Sequence, residues 1–474
     1  MTDLPVPSLP STDRHARLDA AVARLGDGLR DHAATIRRLQ WVVVGVYAAL
    51  LLVPLAAPLP GRLDHIWSHV TLFAQFLFWG VWWPFVLVSM ILVGRLWCGV
   101  LCPEGALTEI AARHGRGRAI PRWVRWPGWP FTAFALTTIY GQMVSVYQYP
   151  APALVVLGGS TVAAIGVGWL WGREKRVWCR FLCPVNGVFR VLAKMAPLHF
   201  AVDEDRWAIA RREHVAGDRV VCAPMVALPT MRGSARCHMC GRCSGYRGGA
   251  IRLQLRAPSR EIVHVAGEET DAWETALIVF GLMGIAVGAF HWSASPWFVA
   301  LKQAVADRLV DHGVLWPLTT TMPWFVLTNE PALNDVLTVL DGFLLVAYVI
   351  ATALAVGALV SASLALATRL LGAWSWPRFH HLAQGLIPIA GAGVFIGLSS
   401  LTVTLLKNDG FPVGWVGPTR VAVLAAATLW SLRLVVGIAG VHGATTARRI
   451  AVGLAVLPAL GVANIGWWLL FAGW

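Results

Sequence analysis

The chain of 474 residues is 57% hydrophobic and 14% charged, with a mean hydropathy of +0.62, which excludes an ordinary soluble enzyme and indicates a polytopic membrane protein. A net charge of +14 would raise nucleic-acid binding in a soluble chain, but here the basic residues follow membrane topology and nucleic acid is not expected as a partner.

The first 39 residues carry six Arg and no short apolar core followed by a small-residue cleavage site, so no secretory leader is expected and the N-terminus is placed in the cytoplasm. Within this arm (1–39), Leu18, Val22, Leu25, Leu29 and Ile36 recur at near-heptad spacing, which predicts an amphipathic helix over 13–38, lying on the membrane surface. Nine stretches long enough for a bilayer follow, at 40–58, 70–96, 129–148, 153–171, 272–291, 337–368, 383–406, 420–441 and 450–472. Pro84 and Pro388 are expected to kink theirs.

With the N-terminus inside, the inner segments hold 33 of the 39 Lys and Arg; five lie outside (Arg62, Lys302, Arg308, Lys407, Arg420), and Arg433 falls within a span. The positive-inside asymmetry is therefore large. It divides the chain into the arm, a first two-helix repeat (40–127), a second (128–199), a cytoplasmic cysteine segment (200–271) and a five-helix membrane region (272–474). In that last region the external loop 292–336 contains WFVALKQAVADRLVDH, which reads as an amphipathic helix at the outer surface. The expected class is an all-α polytopic membrane protein of about nine transmembrane helices with a small loop-rich cytoplasmic cysteine segment.

Each repeat ends in the same turn, RLWCGVLCPEGAL with Cys98 and Cys102, then RVWCRFLCPVNGV with Cys179 and Cys183. Trp97/Trp178, Leu101/Leu182 and Pro103/Pro184 match at a constant offset (179 − 98 = 81). One turn offers two thiols, half a four-thiolate site, so the two copies are expected to converge on one site at the cytoplasmic membrane edge, shielded by Leu101 and Leu182. Trp97 and Trp178 are expected at the interface. Arg95, Lys175, Arg176 and Arg180 flank the turns; they offset an anionic group, and positive-inside topology explains them equally well.

The remaining cysteines are Cys222 and the run Cys237, Cys240, Cys243. C-x-x-C-x-x-C is the spacing by which a short loop wraps three corners of a cubane cluster. No cysteine follows Cys243, so Cys222 is the candidate fourth ligand. Zn²⁺ accepts the same four thiolates, usually as two separated C-x-x-C knuckles, and three in succession favour iron–sulfur. Gly241, Gly245, Gly248 and Gly249 suit a loop whose amides approach sulfide.

Paired membrane helices ending in W-C-x-x-x-C-P turns and followed by a cytoplasmic cysteine segment resemble the NapH/NosR/CcoG group of membrane-bound ferredoxin-like proteins. The resemblance spans residues 40 to 290. It implies bound [4Fe-4S] clusters, two by the count of eight cysteines, and electron transfer at the bacterial inner membrane. Members of the group carry two complete ferredoxin cysteine sets in the soluble segment, where this chain has at most one.

The histidines sit at span ends: His65, His69, His291 and His312 outside, His380, His381 and His442 inside. A transmembrane haem pair needs ligands facing each other at depth, so haem is not expected and the outer group is expected to hydrogen-bond locally. The reading is a membrane-bound iron–sulfur protein passing single electrons between a cytoplasmic or quinol donor and a redox partner in or beyond the membrane. A Cu(II)-to-Cu(I) reductase of the CcoG type and a zinc-stabilised scaffold or transporter are the alternatives.

Overall fold

The computed structural model describes residues 13–61, 63–215 and 220–473. The first twelve residues of the arm, and Arg62 of the outer-side charge count, lie outside them. Helices form nearly all the regular structure: α1 (Asp13–Asp31), α2 (Ala33–Ala56), α3 (Val70–Val93), α4 (Pro103–Arg113), α5 (Trp129–Met143), α6 (Pro150–Gly172), α7 (Asn186–Ala193), α8 (Glu204–Arg212), α9 (Ala272–His291), α10 (Pro296–Asp311), α11 (Val339–Leu370), α12 (Trp376–Gln384), α13 (Ile387–Asn408), α14 (Val416–Val441) and α15 (Thr446–Gly473). Among the described residues eight of these, α2, α3, α6, α9, α11, α13, α14 and α15, are long and apolar enough to cross a membrane. The chain is an all-α polytopic membrane protein.

The expected span at 129–148 differs. Helix α5 has 15 residues, about 22 Å at 1.5 Å per residue, against about 30 Å of bilayer hydrocarbon. It stops where Ser145 adopts a left-handed φ of 48° and Val146 N donates to Gly141 O (2.9 Å). It still runs from one face of the fold to the other. At its start Trp126 packs edge to face on Trp273 (5.0 Å) at the head of α9, and at its end Met143 O accepts from Thr328 N (2.8 Å) in the loop of the opposite face.

Helix α9 is 78% buried over its apolar window whereas α6 is 11% buried, which makes α9 the central post and α6 an outer wall. Ile285 of α9 shares an apolar cluster with Val349 and Ala353 of α11 and Phe131 and Ala135 of α5, joining the repeat half to the C-terminal half. Pro388 does not kink its helix. It sits in the first turn of α13, where the missing N–H has no intrahelical acceptor to lose. Pro84 lies within α3 just after a wide turn over Phe76–Trp82, and Pro458 lies inside α15.

The soluble segment is built on two antiparallel strands, β1 (Leu198–Val202) and β2 (Ile251–Leu255), with Phe200 opposite Leu253. Both bury into a small core with Met231, Cys237, Met239 and Val22. Val22 belongs to α1, so the arm helix packs on the cysteine segment, while Leu18 and Leu25 of its apolar stripe stay exposed. Asp27 accepts from Ser244 Oγ (2.7 Å), and Arg30 donates to Ser244 O (2.7 Å). Periodicity shows that a helix has an apolar stripe; it does not say whether lipid or protein covers it.

Candidate iron–sulfur site

The two cysteine turns are built alike. Trp97–Leu101 and Trp178–Leu182 each form one wide helical turn, closed by Cys102 N donating to Trp97 O (2.8 Å) and Cys183 N to Trp178 O (3.0 Å). Cys102 and Cys183 then leave the helix with ψ of 119° and 123°, because the proline that follows each one disfavours helical geometry in the residue before it. Wide turns of this type recur at functional sites. Trp97 and Trp178 are both buried in the protein, and Trp178 Nε1 donates to Glu104 Oε2 of the other turn (3.0 Å).

Cys98, Cys102, Cys179 and Cys183 line one cavity of ≈ 240 Å³, walled by Trp82, Trp83, Phe134 and Phe290 among others. Two arginines at equivalent repeat positions (176 − 95 = 81) clamp the halves together. Arg176 Nη1 donates to Cys98 O (2.5 Å). Arg95 Nη2 donates to Asn186 Oδ1 (2.9 Å), and Asn186 Nδ2 donates to Arg180 O (3.1 Å). Arg95 and Arg176 are 3% and 2% exposed, so topology alone does not account for them.

Cys222, Cys237, Cys240 and Cys243 line a second, smaller cavity with His238 and Arg242. Met225 (φ 56°) and Met239 (φ 53°) are left-handed, and beside them Val226 N donates to Cys222 Sγ and Met239 N to Cys237 Sγ, both at 3.4 Å. A left-handed non-glycine residue costs about 1–2 kcal/mol, and strain of this kind gathers at functional sites. What the glycines admit is the covering helix: Gly241 (φ 74°) lies against Leu29 of α1.

Among the described residues no three His, Cys, Asp or Glu side chains close on a single ion. A tetrahedral zinc needs four thiolates at about 2.3 Å from one centre, whereas a four-iron cube takes one thiolate at each iron corner. Burial pushes the thiols up, Cys179 and Cys243 to about 12 and Cys102, Cys183 and Cys237 well above their usual range, with neighbouring thiols of the same quartet adding to it. Metal entry must therefore displace protons. Burial also lowers Arg180, to about 10, helped by Arg236, Arg190 and Arg95.

The two quartets meet. Gly99, inside the first turn, stands against the loop: a Cβ there would lie 3.0 Å from Cys240 N and collide with His238 O. The second turn has Arg180 at this position (180 − 99 = 81). Behind the contact Glu109 accepts from Arg176 Nε (2.8 Å), Arg242 Nη2 (2.5 Å) and Arg113 Nη2 (3.2 Å). Burial raises the Glu109 carboxyl, but Arg176 and Arg242 outweigh it and hold it at about 2. Arg176 N donates to Ala223 O (2.8 Å), next to Cys222.

Glu109, Asn186 and His238 have no signature in the sequence, whereas the Arg95/Arg176 pair was legible as one more matched position of the repeat. The other histidines make local contacts: His65 Nδ1 with Asp409 Oδ1 (3.1 Å), His69 Nδ1 with Thr71 N (3.2 Å) and His381 Nδ1 with His442 Nε2 (3.1 Å). The Arg433 side chain is exposed.

A family profile for a 4Fe-4S binding domain matches residues 75–121 and 154–201, one match on each repeat and each enclosing one cysteine turn. The chain is also 26% identical over 131 residues to a protein of Pseudomonas aeruginosa named Regulatory protein NosR, covering 24% of this chain and 18% of that relative. The chain thus spans less than a fifth of the length of the curated relative it matches. No solved structure matches. Residues 75–121 and 154–201 each match a 4Fe-4S binding domain, and the similarity to NosR agrees with the resemblance to membrane-bound ferredoxin-like proteins expected from the turns.

Proposed function

We propose that this chain, as the bearer of a doubled 4Fe-4S binding domain, is a two-centre relay passing single electrons between a quinol or cytoplasmic donor and a redox partner in or beyond the membrane. One [4Fe-4S] cluster would be held by Cys98, Cys102, Cys179 and Cys183, the other by Cys222, Cys237, Cys240 and Cys243. The observation that supports this reading is the backbone approach of Gly99, between Cys98 and Cys102 in sequence, to His238 and Cys240 of the loop.

Such clusters supply a one-electron couple whose potential follows charge, burial and hydrogen bonding. The chain's own groups set those terms. Arg95, Arg176 and Arg180 place positive charge beside the sulfurs and favour the more negative, reduced form; Met239 and Val226 give amide donors to sulfur; the aromatic walls exclude water. The cavity wall at Trp82, Trp83 and Phe134 is aromatic, a surface suited to an apolar donor such as a quinol. The Lys and Arg asymmetry supports a bacterial inner-membrane location with the N-terminus and all eight cysteines in the cytoplasm, where thiols stay reduced.

The test is iron and sulfide analysis with paramagnetic resonance on protein purified without oxygen. About eight iron atoms per chain and two reducible signals are expected. Fewer than about six, or zinc in place of iron, overturns the two-cluster reading.

A further inference from the structure

His238 lies between Cys237 and Met239 and is 1% exposed. Both ring nitrogens, Nδ1 and Nε2, are buried without a hydrogen-bond partner. A buried polar group left unpaired costs about 1–3 kcal/mol, so an imidazole with two such atoms points to a partner that belongs in the space beside it. That space is the cavity lined by Cys222, Cys237, Cys240 and Cys243.

The surroundings narrow the partner's chemistry. In either tautomer the ring has an N–H to donate, and the groups whose charges act on it are the guanidiniums of Arg95, Arg176 and Arg180. Those guanidinium groups carry no acceptor, and the thioether of Met239 is a weak one. The acceptors the site is built to hold are thiolates and inorganic sulfides.

We propose that the His238 imidazole donates its N–H to a sulfur of the iron–sulfur group held by the loop quartet and thereby raises its reduction potential. This rests on reading that quartet as a cluster site. Each reduction adds one electron and one negative charge to the cluster; the proton stays on the ring and no bond breaks. A donor to sulfur stabilises the more negative form more, so the couple shifts towards reduction. The carbonyl of the same residue abuts Gly99, which puts this donor at the junction of the two quartets.

The experiment measures iron per chain and the midpoint potential of each signal, by resonance-monitored redox titration, in full-length wild type, His238→Leu and His238→Gln. In His238→Leu, iron is expected to remain and the loop signal to fall in potential by a factor of ten in the one-electron equilibrium constant, about 59 mV; the signal of the turn quartet stays. In His238→Gln, which keeps an N–H donor, the shift is less than threefold. An iron-loaded Leu variant at the wild-type potential overturns the proposal, as does loss of iron from both variants. Should only the Leu variant lose iron, the Gln variant decides: a shift above threefold overturns the proposal, and a smaller one upholds it. Wild-type protein without iron would instead remove the reading on which the proposal rests.

Discussion

Gly99 and Cys240, 141 residues apart (240 − 99 = 141), are in backbone contact: a methyl group added to Gly99 would sit 3.0 Å from the Cys240 amide nitrogen. Gly99 lies between the two cysteines of the first turn and Cys240 belongs to the loop quartet, so the contact joins the membrane repeats to the soluble segment.

Gly99→Val tests that contact. The added side chain cannot enter without moving the backbone of the loop, so the segment 200–271 should undock while the turns persist. The expected outcome is faster proteolysis of that segment with iron at the turns retained. Unchanged proteolysis would show that the loop tolerates the added bulk.

Cysteine replacement separates the quartets. Cys98→Ser and Cys240→Ser should each remove about four of about eight iron atoms, and the double variant should remove nearly all. Complete loss from either single variant would show that the eight thiols serve one indivisible site.

Glu109→Gln leaves Arg176 and Arg242 without their shared carboxylate. Removing one partner of a buried ion pair costs about 3–5 kcal/mol, so the melting temperature should fall markedly and the loop should loosen. Glu104 is different, because burial pushes its carboxyl up, towards the neutral form. Glu104→Gln should cost far less, and equal losses in the two variants would contradict the ionic role given to Glu109.

His199 on β1 gives a pH dependence. Burial, then Arg256, lowers its pKa from 6.5 to about 4. The unfolded segment therefore takes up a proton below pH 6.5 that the folded segment refuses until about pH 4. Stability from this group is complete above 6.5 and is lost as pH falls to 4, by roughly 3 kcal/mol at 1.36 kcal/mol per unit. Melting temperature across pH 4 to 7 should fall more steeply for wild type than for His199→Gln. Parallel curves would assign the pH dependence elsewhere.

Hydropathy and charge placed the helices and their class, because the cost of burying polar backbone in lipid is written into local composition, and the doubled W-C-x-x-L-C-P turn with its 81-residue offset announced a repeated metal-binding unit before any fold was known. The third crossing was harder to read, since an apolar run does not disclose that Ser145 ends its helix early. The partners of the arm helix, the clamps by Arg95 and Arg176 and the approach of Gly99 to Cys240 depend on which surfaces meet across tens or hundreds of residues. No local pattern encodes that meeting. Only the tertiary structure decided that the eight thiols line two cavities, and that the first turn meets the loop at a glycine.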